Sequence, residues 1–338
     1  MSTFFGEKLK IEVYGSSHGP SLGVKIWGLP EGAKLDEAKL QEFLDRRAPG
    51  KEKPGFPFAE SMKSVASTSR KEPDKVKILK GLSDGKITSG EFQAEIENVD
   101  VKSASYEDTK YIPRPGHSDL AQYLKTGEIL PGGGEYSGRM TAALCIAGGI
   151  AKQLLEEKGI KVKATIYEIA GEHLESKMEE KVFEAAEEGD SVGGIIQCLA
   201  EGLEPGIGGP LFDRFETGIA RALFSIPAVK GVEFGSGFAS TKMKGSENND
   251  AFFMRDDKVL TRGNNHGGVL GGVTSGNALL VKVAIKPTPT ISKKQMSVNL
   301  KSGENVEVEF EGRHDVCIVP RALPVVEAMV SIAIYDRI

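Results

Sequence analysis

The chain has 338 residues, which is enough for a large core in one big domain or two ordinary ones. A formal net charge of −5 argues against a nucleic-acid-binding protein, so any basic ligand site must be built locally. Three cysteines without a CxxC pair argue against a disulfide framework or a zinc site, and no metal is expected. The sequence has no signal-peptide pattern and no apolar run of about 20 residues, so we expect a cytoplasmic protein.

The first part of the chain predicts two strands, a helix and a long polar segment. Residues 8–14 alternate between polar and apolar and predict a strand, and residues 22–27 predict a second. Asp36 is predicted to cap a helix that ends at two arginines before residues 49–74. That segment is rich in Pro, Gly, Ser and Lys. It is either a lid or binding loop or a disordered surface excursion.

The remaining predicted elements follow one another without a regular βαβ repeat. Ser137 is predicted to cap a helix that follows the glycines at 132–134 and runs to Leu155. Strands are predicted at 92–96, 162–167, 279–285 and 306–310, and helices at 178–186, 212–224 and 324–334. We therefore predict one α+β domain over residues 1–338, with antiparallel sheets packed on helices.

Three of the five histidines lie in short segments flanked by glycine or arginine. His18 lies in YGSSHG, His117 in RPGHSD, and His314 in GRHDVCI, where Asp315 follows it. Glycine lets backbone approach a ligand, arginine binds phosphate or carboxylate bidentately, and histidine titrates near neutral pH. Together these residue types indicate a site for an anionic small molecule at which protons move. Taken singly, the segments also fit an exposed loop histidine, a turn with a surface arginine or a surface ion pair, and Asp119 fits a helix cap.

Three further segments are rich in glycine or proline. Residues 132–139 (GGGEYSGR) open a helix, where free backbone N–H groups favour an anion, but they match neither the Rossmann nor the P-loop pattern. Residues 264–277 (NNHGGVLGGVTSGN) allow close approach to a flat ligand, and residues 286–290 (KPTPT) allow a phosphate or flavin contact. The alternatives are a flexible turn, a glycine-rich hairpin and the end of an edge strand, respectively.

Cationic side chains recur in or beside these segments: Arg47, Arg114, Arg139, Lys286, Arg313 and Arg321. If the fold brings them together, they form a strongly positive pocket in an acidic protein. Mutual repulsion would destabilise such a pocket unless a polyanion binds. The sequence therefore predicts a substrate or cofactor with several negative charges.

Taken together and in this order, the segments resemble the chorismate synthase family. The matching motifs are YGSSHG, LDRRAPG, SRKEPD, IENVD, RPGHSDL, GGGEYSGR, SIPAVKGVEFG, GGVLGGVTSG, KPTPT and GRHDVCIVPRALPVVEAM. They cover nearly the whole chain, and their joint occurrence in this order is highly specific. Ser16 and Glu135 depart from the pattern, because the family more often has Glu and Arg at these positions.

The resemblance implies an enzyme that converts 5-enolpyruvylshikimate 3-phosphate to chorismate. The 3-phosphate and a hydrogen at C6 leave in an anti-1,4-elimination, which needs reduced FMN although there is no net redox change. The resemblance also implies helices sandwiched between antiparallel β-sheets, and a homotetramer. No segment resembles a reductase domain, so a separate flavin reductase is expected, with NADP as the associated nicotinamide.

The family's functional positions carry over residue by residue. The resemblance gives His18 the role of general acid for phosphate departure, places His117 at the N1/C2 edge of the flavin, and places Asp315 near flavin N5 to help pass on the C6 hydrogen. The flavin-binding positions are Tyr136, Ser137, Ala228, Gly271, Lys286, Pro287, Thr288, Pro289, Thr290 and Arg313. The substrate-binding positions are Arg47, Lys53, Arg70, Arg139 and Arg321, with Arg70 as a lid residue.

Two other functions are compatible with the same residues. A flavin oxidoreductase or flavin carrier on this scaffold would have lost the lyase activity through Glu135 and Ser16, and steady NAD(P)H consumption without substrate would favour it. A non-catalytic binding protein for phosphorylated metabolites would keep its ligand affinity after replacement of His18 and His117. The presence of His18, His117 and Asp315 argues against this last interpretation.

Overall fold

The structure is a computed structural model, and it describes residues 2–48, 65–66, 72–99, 110–310 and 314–338. Most of the 49–74 segment lies outside the described residues. So do three residues that the resemblance assigns to the site, namely Lys53, Arg70 and Arg313.

Helices and strands alternate along the chain in an irregular order. The helices are α1 (Glu37–Asp45), α2 (Asp119–Thr126), α3 (Thr141–Glu157), α4 (Glu175–Glu187), α5 (Phe215–Leu223), α6 (Gly245–Asn248) and α7 (Val319–Tyr335). The strands are β1 (Ser2–Phe5), β2 (Lys10–Gly15), β3 (Ser21–Trp27), β4 (Val76–Lys80), β5 (Leu82–Ser83), β6 (Lys86–Ile87), β7 (Phe92–Glu97), β8 (Lys161–Ile169), β9 (Gly194–Glu201), β10 (Val229–Phe234), β11 (Ala251–Arg255), β12 (Lys258–Arg262), β13 (Val269–Leu270), β14 (Val273–Thr274), β15 (Leu279–Ile285), β16 (Gln295–Val298) and β17 (Asn305–Val308). Short 3-10 turns include Pro131–Tyr136, Gly138–Met140 and Leu211–Asp213.

Two antiparallel sheets form the outer layers of the fold. The first has five strands in the order β1-β2-β3-β7-β4, and the second has four in the order β10-β15-β9-β8. Along β15, the side chains of Leu279, Val281, Val283 and Ile285 are buried while those between them are half-buried. This period of two gives each sheet one face for the core.

Helices α3 and α7 fill the space between the two sheets. Helix α3 packs on β3 and β7, helix α7 packs on β8 and β9, and the two helices pack on each other. They approach closely at Gly148, where a Cβ atom would lie 2.2 Å from Cβ of Ala328. Both helices are buried almost all round, as their apolar composition requires. The prediction of an α+β fold with helices between antiparallel sheets is confirmed.

Most predicted elements are present, but several helix starts are wrong. Helix α4 begins at Glu175 instead of residue 178. Ser137 caps the 3-10 turn Gly138–Met140, and α3 begins only at Thr141. Helix α7 begins at Val319, five residues before the predicted start at Pro324, which lies in its interior. An interior proline lacks the N–H of one helical hydrogen bond, so the sequence pattern favoured a start there. Burial of the first turn, including Val319 and Leu323, stabilises the longer helix. Helix α5 begins at Phe215 instead of residue 212, because a 3-10 turn and an extended Arg214 precede it.

None of the helices in the described part of the chain combines the length and the apolar character that a membrane crossing requires.

Candidate active site

A cavity of about 210 Å³ opens where helices α3 and α7 begin. Three predicted site arginines, Arg47, Arg139 and Arg321, line it. The other lining residues are Glu72, Ser137, Gly138, Thr141, Ile226, Pro227, Asp315, Ile318, Ala322 and Val325. The cavity therefore combines guanidinium groups with apolar walls, which suits an anionic organic ligand.

Arg47 is fixed in the cavity wall by its own hydrogen bonds. It follows the end of α1, and its side chain is only 3% exposed. Nε donates to Thr141 Oγ1 at 2.9 Å, Nη2 donates to the Gly138 carbonyl at 3.1 Å, and Nη1 pairs with Asp74 at 2.8 Å. The guanidinium group is thus oriented before any ligand arrives.

Asp74 is the shared counter-ion of two of these arginines. Its carboxylate pairs with both Arg47 and Arg139, and Arg139 also pairs with Glu72 at 2.5 Å. Burial would raise the pKa of Asp74, but the two guanidinium groups outweigh it and hold that pKa below its usual range. Asp74 also has a φ of 46°, a left-handed backbone that aspartate tolerates better than most residues.

Asp315 and Arg321 form the third ion pair of the cavity. Arg321 Nη1 lies 2.9 Å and 2.8 Å from the two carboxylate oxygens of Asp315, and Arg321 Nε donates to the Arg47 carbonyl at 3.4 Å. Burial would lower the pKa of Arg321, but Asp315 outweighs it and raises that pKa. The carboxylate of Asp315 therefore lies at the cavity wall, held by Arg321.

Among the described residues, the cavity is balanced in charge, whereas the sequence led us to expect uncompensated cations. Arg47, Arg139 and Arg321 are matched by Asp74 together with the cavity residues Glu72 and Asp315. Their mutual repulsion is thus relieved within the chain. Even so, Arg139 Nη2 is buried without a hydrogen-bond partner among the described residues. That donor is available to a ligand oxygen.

His18 rests on the glycine-rich turn that leads into the cavity. A Cβ atom on Gly132 would lie 2.0 Å from His18 Cε1, so only glycine leaves room for the ring. Ser17 Oγ lies 3.1 Å from His18 Nδ1, and the Ser17 amide donates to the Gly134 carbonyl at 3.4 Å. The Tyr14–Gly19 and 132–134 segments are therefore packed together.

His117 contacts the same turn one residue later. A Cβ atom on Gly133 would lie 3.0 Å from His117 Cε1. His117 Nδ1 lies 2.6 Å from Asp119 Oδ1, which also accepts from Arg114 Nη2 at 2.8 Å. Burial would raise the pKa of Asp119, but the hydrogen bonds from Arg114 and His117 hold it well below its usual range. An ionised carboxylate can only accept a hydrogen bond, so Nδ1 of His117 carries the ring proton. Nε2 of His117 is then the nitrogen that can take up or release a proton.

Asp119 is not a helix cap. The N-cap of α2 is Ser118, whose side chain makes no capping hydrogen bond. Asp119 is the first residue of the helix, and its carboxylate binds Arg114 and His117 instead. The strong charge-assisted pair with Arg114 outcompetes a cap to the backbone.

The KPTPT segment lies against the His117 turn. Lys286 Nζ donates to the Gly116 carbonyl at 2.5 Å, and Arg114 Nη1 lies 3.4 Å from Thr290 Oγ1. Ala228 joins this region because its carbonyl accepts from the Lys286 amide at 3.0 Å. Its φ of 72° is strained for alanine, which is common beside functional sites.

Comparisons with known proteins agree on one family. The chorismate synthase family model matches residues 9–338. A chorismate synthase of Korarchaeum cryptofilum is 41% identical over 99% of this chain and 96% of its own length. One from Thermococcus kodakarensis is 43% identical over 98% and 96%, respectively.

The chain belongs to the chorismate synthase family. It is a lyase of aromatic amino acid biosynthesis, and the predicted resemblance is confirmed. A crystal structure of chorismate synthase superposes with a TM-score of 0.74 and covers 98% of this chain and 92% of its own. At 23% identity, that likeness supports the fold alone.

Gly271, which is predicted to bind flavin, lies apart from the other predicted flavin-binding positions of the chain. It lies in the turn between β13 and β14. This hairpin begins just after Gly267, whose carbonyl accepts from the Leu280 amide, so the hairpin is attached at the start of β15. Lys286 follows the other end of that strand. The six residue steps from Leu280 to Lys286 span about 20 Å in a strand.

The two departures from the family pattern lie at the edge of the site. Glu135 is exposed and is not among the residues that line the cavity. Tyr136, its predicted flavin-binding neighbour, is 36% exposed. Ser16 is half-buried, and its carbonyl accepts from Asn98 Nδ2 at 3.0 Å. The acidic side chains that line the cavity are those of Glu72 and Asp315.

The sequence analysis missed three residues of the site. Asp74 and Glu72 belong to the SRKEPD motif and Asn98 to IENVD, but none of them received a role. Asn98 Nδ2 donates to the Ser16 and Gly19 carbonyls at 3.0 Å and 2.8 Å, while its Oδ1 accepts from Arg139 Nε at 3.1 Å. The one signal that could have pointed to these residues is that each is a carboxylate or an amide inside a family motif.

Proposed function

We propose that this chain converts 5-enolpyruvylshikimate 3-phosphate to chorismate by removing the 3-phosphate and a hydrogen from C6. The observation that carries this proposal is the contact of His18 and His117 with adjacent glycines, Gly132 and Gly133. The same turn continues directly into Ser137 and Arg139 of the arginine cavity. Proton-transfer groups and anion-binding groups are therefore parts of one site.

The two histidines have different tasks in this proposal. His18 donates a proton to the departing phosphate as a general acid. Ser17 Oγ, at 3.1 Å from Nδ1, orients the ring. His117 holds a proton at the flavin. Asp119 binds Nδ1 of the ring and so fixes the tautomer in which Nε2 is the nitrogen that exchanges the proton.

The arginines bind the negative charges of the substrate. Arg47, Arg139 and Arg321 hold the carboxylates and the phosphate, because guanidinium groups pair bidentately with such groups. Lys53 and Arg70 are proposed to complete this set from outside the described residues. Asp315, held by Arg321, helps pass on the hydrogen from C6.

The residues at the site fit reduced FMN. Thr288 Oγ1 and Arg139 Nη2 are buried side-chain atoms that lack hydrogen-bond partners among the described residues, as expected where a polar ligand binds. When bound, reduced FMN supplies electron density transiently while the phosphate departs. The residues proposed to hold it are Tyr136, Ser137, Ala228, Lys286, Pro287, Thr288, Pro289, Thr290, Arg313 and, from another part of the fold, Gly271.

The assembly and the supply of flavin are proposed from the family. The chain forms one chorismate synthase-like domain over residues 1–338 and assembles as a homotetramer in the cytoplasm. A separate, NADP-linked reductase supplies reduced FMN. Gly271 lies beyond the start of β15 while Lys286 follows its end, and this separation supports a site that draws on more than one chain.

Anaerobic turnover tests the proposal directly. Purified protein with dithionite-reduced FMN and 5-enolpyruvylshikimate 3-phosphate should release phosphate and chorismate in equal amounts. His18→Ala should lower kcat by about 100-fold or more. His173→Ala is the matched control, because that histidine is exposed and pairs with Glu168 away from the cavity.

Absence of phosphate release under strict reduction contradicts the proposal. Steady NAD(P)H consumption without substrate would instead favour the flavin oxidoreductase. Glu135, one of the two departures that motivate this alternative, is exposed and does not line the arginine cavity.

A further inference from the structure

Three side chains outside the arginine cavity form a second chemical site. Asp250 precedes β11, His266 precedes β13, and Ser275 follows β14. They meet at the hairpin that lies beyond the start of β15, far along the sheet from Lys286. Neither the proposed elimination nor the family resemblance gives any of them a role.

The hydrogen bonds run from carboxylate to imidazole to hydroxyl. Asp250 Oδ2 is bonded to His266 Nδ1 and also accepts from the His266 amide at 3.0 Å. On the other side of the ring, His266 Nε2 lies 2.9 Å from Ser275 Oγ. An orienting acid, a base and a hydroxyl within hydrogen-bond reach are the geometric signature of an activated nucleophile.

The charge on Asp250 fixes the direction of these bonds. Burial would raise the pKa of Asp250, but the hydrogen bonds from His266 hold it below its usual range, so the carboxylate is ionised. An ionised carboxylate only accepts, which places the proton on Nδ1 and leaves a lone pair on Nε2. Ser275 must therefore donate its proton toward the base.

Burial and backbone shape favour reactivity at Ser275. The side chains of His266 and Asp250 are only 7% and 5% exposed, which strengthens their pairing. Ser275 is half-buried, and the next residue, Gly276, is exposed. Gly268 has a φ of 84°, and a Cβ atom there would lie 2.6 Å from the Ala278 carbonyl, so the loop that carries His266 depends on glycine.

We infer that Ser275 is the nucleophile of a Ser–His–Asp site that accepts acyl or phosphonyl groups from small, uncharged, activated esters. In the step, Ser275 Oγ forms a bond to the carbonyl carbon or the phosphorus, and the bond to the leaving group breaks. His266 Nε2 takes the hydroxyl proton and returns it to the leaving group, while Asp250 stays ionised. No oxidant, metal or cofactor takes part.

A fluorophosphonate probe tests the inference on the full-length protein. Phosphorus bonds to Ser275 Oγ as fluoride leaves, so intact mass should rise by one phosphonyl group, and peptide mapping should locate it at Ser275. His266→Gln should slow labelling by about 100-fold, since it removes the base. Asp250→Asn should slow it to a similar extent, because the amide favours the wrong tautomer.

Ser240→Ala is the matched control and should label at the unaltered rate, because the Ser240 hydroxyl is bonded to the Gly237 carbonyl. Thermal unfolding followed by circular dichroism checks that each variant is folded. Peptide mapping of the labelled protein without any substitution tests the site even if a variant fails to fold. The inference is overturned if Ser275 carries no phosphonyl group, or if it labels equally fast in folded His266→Gln. The three side chains would then serve only to hold the hairpin.

Discussion

Each arginine that the structure describes in the cavity has a carboxylate partner, so an incoming anion has to compete with the chain's own charges. Asp74 is fully buried between Arg47 and Arg139 and cannot easily leave them. Glu72 differs from Asp74 because it lines the cavity while it pairs with Arg139. We therefore regard Glu72 as the carboxylate that weakens binding of an anion at Arg139.

Replacement of Glu72 by glutamine should tighten anion binding. The change removes one negative charge beside Arg139 and makes the described part of the cavity net positive. About 1 kcal/mol of repulsion is relieved at a partly screened site, which corresponds to roughly fivefold tighter binding. Competitive inhibition by inorganic phosphate measures this, and KM for the substrate should fall in parallel. Glu135→Gln, at an exposed position outside the cavity, is the control that should leave both values unchanged. Weaker phosphate binding in Glu72→Gln would show that Glu72 organises Arg139 instead of competing for it.

At the scale of elements, the turn at 132–134 has to be glycine for two separate reasons. Gly132 and Gly133 have φ values of 61° and 83°, which residues with a Cβ atom rarely adopt. In addition, a Cβ atom on Gly132 would overlap the His18 ring, and a Cβ atom on Gly133 would be in tight contact with the His117 ring, at 3.0 Å. The turn thus sets the separation of the two proton-transfer groups.

Gly132→Ala should therefore impair catalysis more than stability. The new methyl group must displace the His18 ring, and a shift of about 1 Å at a reacting group can cost about 100-fold in kcat/KM. Gly159→Ala is a matched control, because Gly159 has a φ of 79° but nothing within 4 Å of the added Cβ atom. Both variants should lose roughly 1 kcal/mol of stability from the left-handed backbone. Equal activity of the two variants would exclude a role for the contact with His18.

Helix α7, near the end of the sequence, holds the site together with residues from the first half of the chain. Arg321 reaches the cavity, while Glu327 on the same helix pairs with Arg46, the neighbour of Arg47, at 2.8 Å and with Lys152 at 3.3 Å. Glu327 also accepts from the Ala164 amide at 3.0 Å. One carboxylate thereby joins α7 to α1, α3 and β8.

Glu327→Gln should destabilise the protein substantially. The variant leaves two cationic side chains beside a buried neutral group, and loss of one partner of a buried pair costs roughly 3 kcal/mol. Urea unfolding monitored by tryptophan fluorescence should show a lower midpoint. Glu184→Gln removes an exposed pair with Lys181 and should leave the midpoint unchanged. A shift of the same small size in both variants would contradict the proposed role of Glu327.

Elements with strong local patterns could be predicted from the sequence, and long-range pairs could not. The strand Leu279–Ile285 and the cap of Asp36 on α1 were predicted correctly, because alternation and capping are local signals. The motif order also identified the family and the three arginines Arg47, Arg139 and Arg321 that line the cavity. The pairing of Asp74 with Arg47 and Arg139 bridges 27 and 65 residues of chain. No local pattern encodes such a contact, so the charge balance of the cavity became visible only in the fold.

At the scale of the whole molecule, the two ends of the chain and the central helices are held by buried carboxylates. Asp336, just after α7, accepts from the amides of Glu7, Lys8 and Leu9 at 2.9–3.0 Å. Asp74, Asp119 and Glu327 tie the loops of the site to the helices. The fold therefore depends on carboxylates that must remain ionised.

The stability of the protein should fall steeply in acid for that reason. The pKa values of Asp74, Asp119 and Glu327 are all held below their usual ranges by guanidinium partners that outweigh the effect of burial. Groups of this kind stabilise the folded state above their unfolded pKa values, about 4, and lose that contribution as the pH falls toward the folded values. In that window the unfolded chain binds more protons, so each group contributes a slope of up to roughly 1.4 kcal/mol per pH unit.

Urea unfolding should give a nearly constant free energy of unfolding between about pH 7 and pH 5 and a sharp decline below about pH 4. Asp119→Asn should be less stable at neutral pH and show a shallower decline, whereas Glu180→Gln, at a fully exposed position, should follow the unmodified protein. A free energy of unfolding that stays constant down to pH 3 would mean that these ion pairs do not hold the fold together.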